Sequence, residues 1–471
     1  MKAQTIAIFL VGLACAALAA PSVDTSVLKV FQTKETANIL ISFKGANTAG
    51  VRRSTTTLSF TDRTQRIQYL YDNLKRHADE TQGNVLGLLS NLQTAESAVV
   101  RQLWITNQVY IKNANRQLVE ELLKREEISK IEEEKLSPIV KPVSIVEHPL
   151  GYKPTAGEQW GILAVDAPTV WASGYKGKGV VIANIDSGVR GTHEALKDGF
   201  RRLNGWYDAE YEEEEPVDDY GHGTHTMGTM VGRTNGIGVA PEADWIACRA
   251  CTDWCSDAQF ILCGQWVVCP TDNKLKDPRC DLAPHAVTNS YGLSYDEDDV
   301  FDDVLDTWIA ADIAPIFALG NDGESCSSAN SPGDSQLAIA IGATTSTNQL
   351  ASFSSRGPTV SGKIKPDLAA PGSSVLSAYN SNDRSYTTMS GTSMATPHVT
   401  GLTALLYNIN ANLTVSDIRS VLTEGAKPGV LLGRTCGGIP DSQYPNNHYG
   451  HGIVSASASA ERVNQMMKRQ V

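Results

Sequence analysis

Ser393, His222 and Asp186 are the residues of this chain whose types and settings could make a hydroxyl into a nucleophile. Ser393 lies in Gly391-Thr392-Ser393-Met394-Ala395-Thr396-Pro397-His398, His222 in Gly221-His222-Gly223-Thr224-His225, and Asp186 in Ala183-Asn184-Ile185-Asp186-Ser187-Gly188. Serine alone attacks poorly. It needs an imidazole to take its proton, and the imidazole needs a carboxylate to fix its tautomer and stabilise its cation. Singly, an Asp after a strand is a turn residue and a His is a packed or surface residue; only the set of three carries chemistry.

The elements that must position these groups can be read from hydrophobic patterning. Val180-Val181-Ile182-Ala183-Asn184-Ile185 is nearly continuously apolar, as in a strand buried on both faces. Trp245-Ile246-Ala247, Ala286-Val287-Thr288, Pro315 to Leu319 and Leu337 to Ile341 are similar, with helical stretches between them. That alternation predicts a parallel sheet covered on both sides. Open sheets of this kind place ligands beyond the carboxyl ends of their strands. Three such ends carry polar residues: Asp186-Ser187-Gly188, Asn289-Ser290-Tyr291-Gly292 and Gly320-Asn321-Asp322-Gly323. His222 and Ser393 are predicted at helix starts, where backbone N–H groups lack intrahelical acceptors and the dipole favours a developing anion. Residues 250–281 read as an irregular, cysteine-rich insertion, and no internal repeat is present.

The first 150 residues differ in character. Lys2, the apolar run Ile6 to Leu18 and Ala17-Leu18-Ala19 read as a signal peptide over residues 1–19. Residues 20–150 lack cysteine and read as an α+β unit of order βαββαβ: a strand at 38–43, a helix over 62–100, strands at 103–105 and 109–111, a helix at 119–124 and a strand at 128–131. A linker with Pro138, Pro142, Pro149 and Pro154 follows, suited to processing between about 135 and 158.

The balance of 40 Lys+Arg against 52 Asp+Glu, a net −12, argues against nucleic acid or an anionic membrane as the main partner. No stretch reaches the ~20 apolar residues that span a bilayer. Besides Cys15 there are eight cysteines: Cys248, Cys251, Cys255, Cys263, Cys269, Cys280, Cys326 and Cys436. An even number in an exported chain predicts disulfides, with the pairing open. Cys248-x-x-Cys251 has no second pair to complete a zinc site. His193-Glu194 opens like H-E-x-x-H, but Lys197 stands where the second ligand belongs. Ser393 lacks the final Gly of G-x-S-x-G, which disfavours an α/β-hydrolase.

The order Asp186, His222, Ser393, with Asn321 between the last two, resembles the subtilisin-like serine proteases (subtilases, peptidase family S8), in detail the bacillopeptidase F-like branch. The segments around Asp186, His222 and Ser393 resemble the three subtilase signatures, and Ala318-Leu319-Gly320-Asn321 resembles the family's oxyanion segment. Phe353 to Pro358 and Lys365 to Gly372 also match, and the likeness covers about residues 160–463. It implies a three-layer α/β subtilisin-like fold with a mainly parallel sheet over 151–471. Before it stands a small α+β, ferredoxin-like propeptide resembling inhibitor family I9, which acts as chaperone and intramolecular inhibitor. The chain is then a secreted, monomeric zymogen that cleaves polypeptides. Ser393 attacks, His222 is the base, Asp186 orients it, Asn321 with the Ser393 N–H binds the oxyanion, and Ser290, Tyr291 and Gly292 pair with substrate. No cofactor is implied. Many relatives hold calcium through an Asp shortly after the catalytic Asp, where Ala195 stands here, and through a longer loop than 231–239, so that site is unsupported. His225 and His398 read as structural. The acidic runs 208–219 and 296–299 read as solvated loops, or as a bias of the cleft toward basic substrates. Asn412-Leu413-Thr414 reads equally as a glycosylation sequon or as a helix cap at Thr414. Two other functions compete: a non-catalytic scaffold that binds peptides, which the intact set of four residues disfavours, and an esterase on the same site.

Overall fold

The computed structural model describes residues 21–45, 48–91, 98–138, 141–149, 152, 154, 157–252, 254–292 and 299–469. The signal-peptide reading, Cys15 and most of the second acidic run lie outside them. Two compact units are distinguished: one of residues 1–46, 81–102 and 108–133, the other of 47–80, 103–107 and 134–471.

In the first unit a five-stranded sheet runs in the order Ser22–Val23, Ile128–Glu133, Thr36–Phe43, Gln108–Asn115, Val99–Leu103. Alternation in Thr36–Phe43 sends Ile39 and Ile41 into a core with Val85, Leu89, Val109, Ile111, Leu118 and Ile131. The expected order gains a short opening strand and two helices, Thr25–Val30 and Thr48–Thr57; the helix expected over 62–100 is Arg63–Asn91, and Val99 and Val100 belong instead to the strand Val99–Leu103.

The second unit is built on a seven-stranded sheet: Leu368–Pro371, Ile339–Thr344, Ala314–Ala318, Ala286–Asn289, Val181–Asp186, Asp244–Arg249, Trp206–Asp208. All of its pairings are parallel. Helices His222–Val231 and Thr392–Ile409 pack on each other and on the sheet, as do Asp257–Val268 and Asp302–Ala310, which completes the three-layer α/β fold. Central strands are buried along their length, which is why they lack a two-residue alternation. One expectation fails. Within the segment read as irregular, Asp257–Val268 is a twelve-residue helix, and every one of its residues is buried. Apolar residues surround it, so it shows no amphipathic stripe to betray it. Only the part after it, up to the short 3₁₀ turn Cys280–Leu282, is irregular.

The eight cysteines of this unit form four disulfides: Cys248–Cys263, Cys251–Cys255, Cys269–Cys280 and Cys326–Cys436. Among the described residues no helix is long and apolar enough to cross a membrane.

Candidate active site

Asp186 is the last residue of a central strand, and His222 the first of its helix. His222 Nδ1 lies 2.7 Å from Asp186 Oδ1, and both side chains are buried. The same Oδ1 accepts the Ser187 N–H at 2.7 Å, while the Thr226 hydroxyl donates to Oδ2 at 3.3 Å. Burial alone would lower the His222 pKa, but the charge and hydrogen bond of Asp186, with Asp218 behind it, outweigh burial and raise it above the ordinary 6.5. The Nε2 of His222 is buried and without a hydrogen-bond partner.

Sequence reasoning did not single out the groups that join these two elements. Asp218 accepts the N–H groups of Tyr220, Gly221 and Thr224 at 3.1, 2.7 and 2.8 Å, and the Thr224 hydroxyl at 2.5 Å. It therefore caps the helix that begins at His222. Ser187 Oγ donates to Asp218 at 2.9 Å and accepts the Gly223 N–H at 2.9 Å, which ties strand end to helix start. A side chain at Gly223 would put its Cβ 2.0 Å from the Gly188 carbonyl, so the approach demands glycine. Asp218 stands within an acidic run. The charge run was visible in the sequence, but not which carboxylate turns inward. Burial raises its pKa against the hydrogen bonds that lower it.

Ser393 is the second residue of Thr392–Ile409. Its Oγ donates to the Ser290 carbonyl at 3.1 Å, and Ser290 Oγ donates to the Ser393 carbonyl at 3.0 Å. The Ser393 hydroxyl is thus engaged with the end of strand Ala286–Asn289 rather than with His222. Asn321 Oδ1 accepts the Thr392 N–H and hydroxyl at 2.8 and 2.9 Å. This leaves its Nδ2 buried and without a partner. Gly320, at φ +120°, sets up the turn, and a Cβ there would lie 1.7 Å from Asn330 Oδ1. The Ser393 N–H belongs to the first helical turn, where no intrahelical acceptor exists.

Ser290 and Tyr291 are buried and Gly292 is half-buried. The Tyr291 ring stacks on Phe260 with centroids 3.7 Å apart, and its hydroxyl donates to Asn289 Oδ1 at 3.0 Å. Only its backbone is left for a ligand. A second edge was missed altogether: Trp254–Ser256 pairs antiparallel with the chain's own Leu136–Pro138. Farther along, Ser144–Glu147 pairs antiparallel with Tyr386–Ser390, three residues before Ser393.

Other titratable groups are structural. His225 Nε2 bonds the Val375 carbonyl at 3.0 Å, and burial lowers its pKa to about 3. His398 Nδ1 lies 2.8 Å from the Met394 carbonyl, and burial lowers its pKa to about 4. Ala195 is a core residue, and no group of three His, Cys, Asp or Glu among the described residues is arranged for a metal. In the acidic run, Asp208 is buried against Arg249 and accepts the N–H groups of Glu210, Tyr211 and Glu213. Glu214 and Glu215 line a surface groove with Phe200, Trp206 and Asn273. Glu210 bonds Gln259, and Asp219 is exposed and bonds Arg249 at 2.9 Å.

An aspartate delivered by a strand end to a histidine at one helix start, with a serine at another on a three-layer parallel-sheet fold, is the architecture of a class of serine hydrolases. The model of the subtilase family matches residues 177–452. Over 468 residues the chain is 36% identical to bacillopeptidase F of Bacillus subtilis (strain 168), covering 92% of this chain and 32% of that protein. It is 34% identical to serine protease AprX of the same organism over 278 residues, covering 53% of this chain and 61% of AprX. To subtilisin DY of Bacillus licheniformis it is 32% identical, covering 64% of this chain and 98% of that protein. The chain belongs to the subtilase family, and its likeness runs to the bacillopeptidase F branch. It spans about a third of the length of bacillopeptidase F and about three fifths of AprX.

Proposed function

We propose that this chain is a serine endopeptidase that hydrolyses peptide bonds through an acyl-enzyme, with Asp186, His222 and Ser393 as its triad. The observation that carries the reading is the buried Asp186–His222 pair, whose Nε2 has no partner, on a helix packed against the one that bears Ser393. In the working enzyme the Ser393 hydroxyl leaves Ser290 O for His222 Nε2 and attacks the scissile carbonyl. His222 takes the proton and returns it to the leaving amine. The unpartnered Asn321 Nδ2 and the Ser393 N–H receive the oxyanion. Extended substrates add as a strand against Trp254–Ser256 on one side and Ser290 to Gly292 on the other. A non-catalytic scaffold would have no need of a buried charge pair.

Export and zymogen activation belong to the same proposal. Four disulfides suit an oxidising compartment. Leu136–Pro138 lies on one substrate-type edge and Ser144–Glu147 lies beside the strand leading to Ser393, so processing is assigned between 138 and 144, with residues 20 to about 138 as propeptide and intramolecular inhibitor. The processed enzyme is a secreted monomer. A preference for basic residues would be carried by the acidic runs 208–219 and 296–299, apart from Glu214 and Glu215, which line the surface groove with Phe200 and Trp206, and Asp208 and Asp218, which are turned inward.

The test is labelling of the processed protein by a serine-directed phosphonate probe, together with cleavage of a peptide library and N-terminal sequencing. Wild type is expected to label and to cleave, and Ser393→Ala to do neither and to remain unprocessed. A processed wild type that does not label would overturn the reading. Cleavage of esters but not peptides would leave the esterase.

A further inference from the structure

Three of the four disulfides staple the body of the fold. Cys248–Cys263 joins the strand Asp244–Arg249 to the helix Asp257–Val268. Cys269–Cys280 closes the irregular segment after that helix, and Cys326–Cys436 spans 110 positions. Cys251–Cys255 differs in place and in span. It closes only four positions, and it lies between the strand end of Asp186 and the edge strand Trp254–Ser256.

Each side of this bridge is anchored differently. On one side, the Cys251 and Ala250 N–H groups both donate to the Asp186 carbonyl, at 3.3 and 3.0 Å. Cys251 is therefore fixed to the residue that orients His222. On the other side, Cys255 is the middle residue of the edge strand, opposite Ser137 of the chain's own extended segment. Beyond it, Ser256 caps the helix Asp257–Val268 by accepting the Gln259 N–H at 3.3 Å. The far end of the edge is thus held by a helix. The near end carries Trp254, whose side chain is 56% exposed and gives the strand little packing. That end is tied back toward the catalytic strand by the Thr252 N–H, which donates to the Trp254 carbonyl at 3.1 Å, and by the buried sulfur bridge one residue on, with the Cys251–Cys255 backbone bridge beside it.

We propose that Cys251–Cys255 is a positioning element for extended peptide substrates: it holds the edge Trp254–Ser256 in register with Asp186, so that a strand added there is delivered in line with the nucleophile. The proposal deepens the peptidase reading and rests on it. A cross-link over so short a loop removes less entropy from the unfolded chain than the three longer bridges do, so more of its effect falls on the native edge. An edge ordered before substrate arrives spares the cost of ordering it on binding, which enters KM for substrates long enough to reach it. A substrate too short to reach the edge gains nothing from it.

The experiment compares wild type, C251S/C255S and the control C248S/C263S, each expressed as the full chain and allowed to process. Two substrate kinds are used: a short acyl ester, and peptides lengthened residue by residue on the acyl side. The expected result for C251S/C255S is ester hydrolysis within about twofold of wild type and a loss on peptides that grows with length to about tenfold in kcat/KM, carried by KM. The control is expected to lose the same factor on every substrate. Where the serine pair does not accumulate, C251A/C255V keeps apolar volume at both positions and must give the same length dependence. Equal losses on ester and long peptide, or no loss on either, would overturn the positioning role while leaving the peptidase reading intact. A wild type that cleaves neither substrate kind overturns both.

Discussion

At the scale of single residues the central fact is that two acids near His222 have been given different work. Asp186 faces the imidazole at 2.7 Å, whereas Asp218 spends its oxygens on backbone and hydroxyl donors. Because Asp186 raises the His222 pKa above 6.5 against the effect of burial, the neutral base forms at higher pH than in a free histidine. Peptidase activity should therefore fall as pH drops through that raised value. Asp186→Asn removes the charge, so the residual activity should show its acid limb at lower pH, while kcat falls about 10⁴-fold because the tautomer is no longer fixed. A pH–rate profile of both proteins checks both shifts, and an unmoved limb would place the cause elsewhere. Asp218→Ala should act through folding instead. It strands several buried donors at the start of the His222 helix, each costing about 1–3 kcal/mol. Chemical denaturation of the Ser393→Ala protein, with and without Asp218→Ala, measures this free of self-digestion. The motif around His222 showed which imidazole to examine. It did not show Asp218, because a run of like charges looks the same whether one member turns inward or none does.

Elements were legible where burial leaves a simple trace. Strand Val181–Asp186 and its neighbours announced themselves as unbroken apolar runs, and their polar ends marked where Asp186, Ser290 and Asn321 now stand. Helix Asp257–Val268 did not, since a helix buried on all sides carries no periodic stripe. Nor did the edge Trp254–Ser256, whose identity as a strand depends on a partner about 118 positions earlier in the chain. Of the two readings of Asn412-Leu413-Thr414, the helix cap is present in the structure. Thr414 caps the helix Val415–Glu424 in a reciprocal capping box with Asp417, its hydroxyl accepting the Asp417 N–H at 3.1 Å. Thr414→Ala should accordingly cost about 1 kcal/mol, and Thr414→Ser much less, since serine keeps both the cap and the sequon. Thermal unfolding of the two variants in the Ser393→Ala background decides it. Equal stability of all three would mean that the cap carries no weight.

At the scale of the whole chain, the cysteines set a ladder of expected stabilities. Composition gives their number, but eight cysteines leave the pairing open, and only the fold brings Cys326 to Cys436 across 110 positions. Cross-linking distant residues removes more freedom from the unfolded chain than cross-linking near ones. On loop-closure entropy alone, Cys326–Cys436 is worth about 5 kcal/mol, Cys248–Cys263 about 3, and Cys251–Cys255 about 2. The long bridge also ties the segment following Asn321 to the C-terminal part of the chain, where Arg434 pairs with Glu324 at 2.8 Å. C326S/C436S should therefore lower Tm most of the four pairs, and C251S/C255S least. Each is measured in the Ser393→Ala background, so that unfolding is not confused with self-digestion. The ranking separates two roles for the same bond. A bridge that matters through the unfolded state shows itself in Tm and leaves kcat/KM on folded enzyme nearly unchanged at low temperature. A bridge that matters through the native edge shows the reverse. If C251S/C255S lowers Tm as far as C326S/C436S does, the loop-entropy account fails for this fold, and the short bridge must be holding core structure rather than an edge.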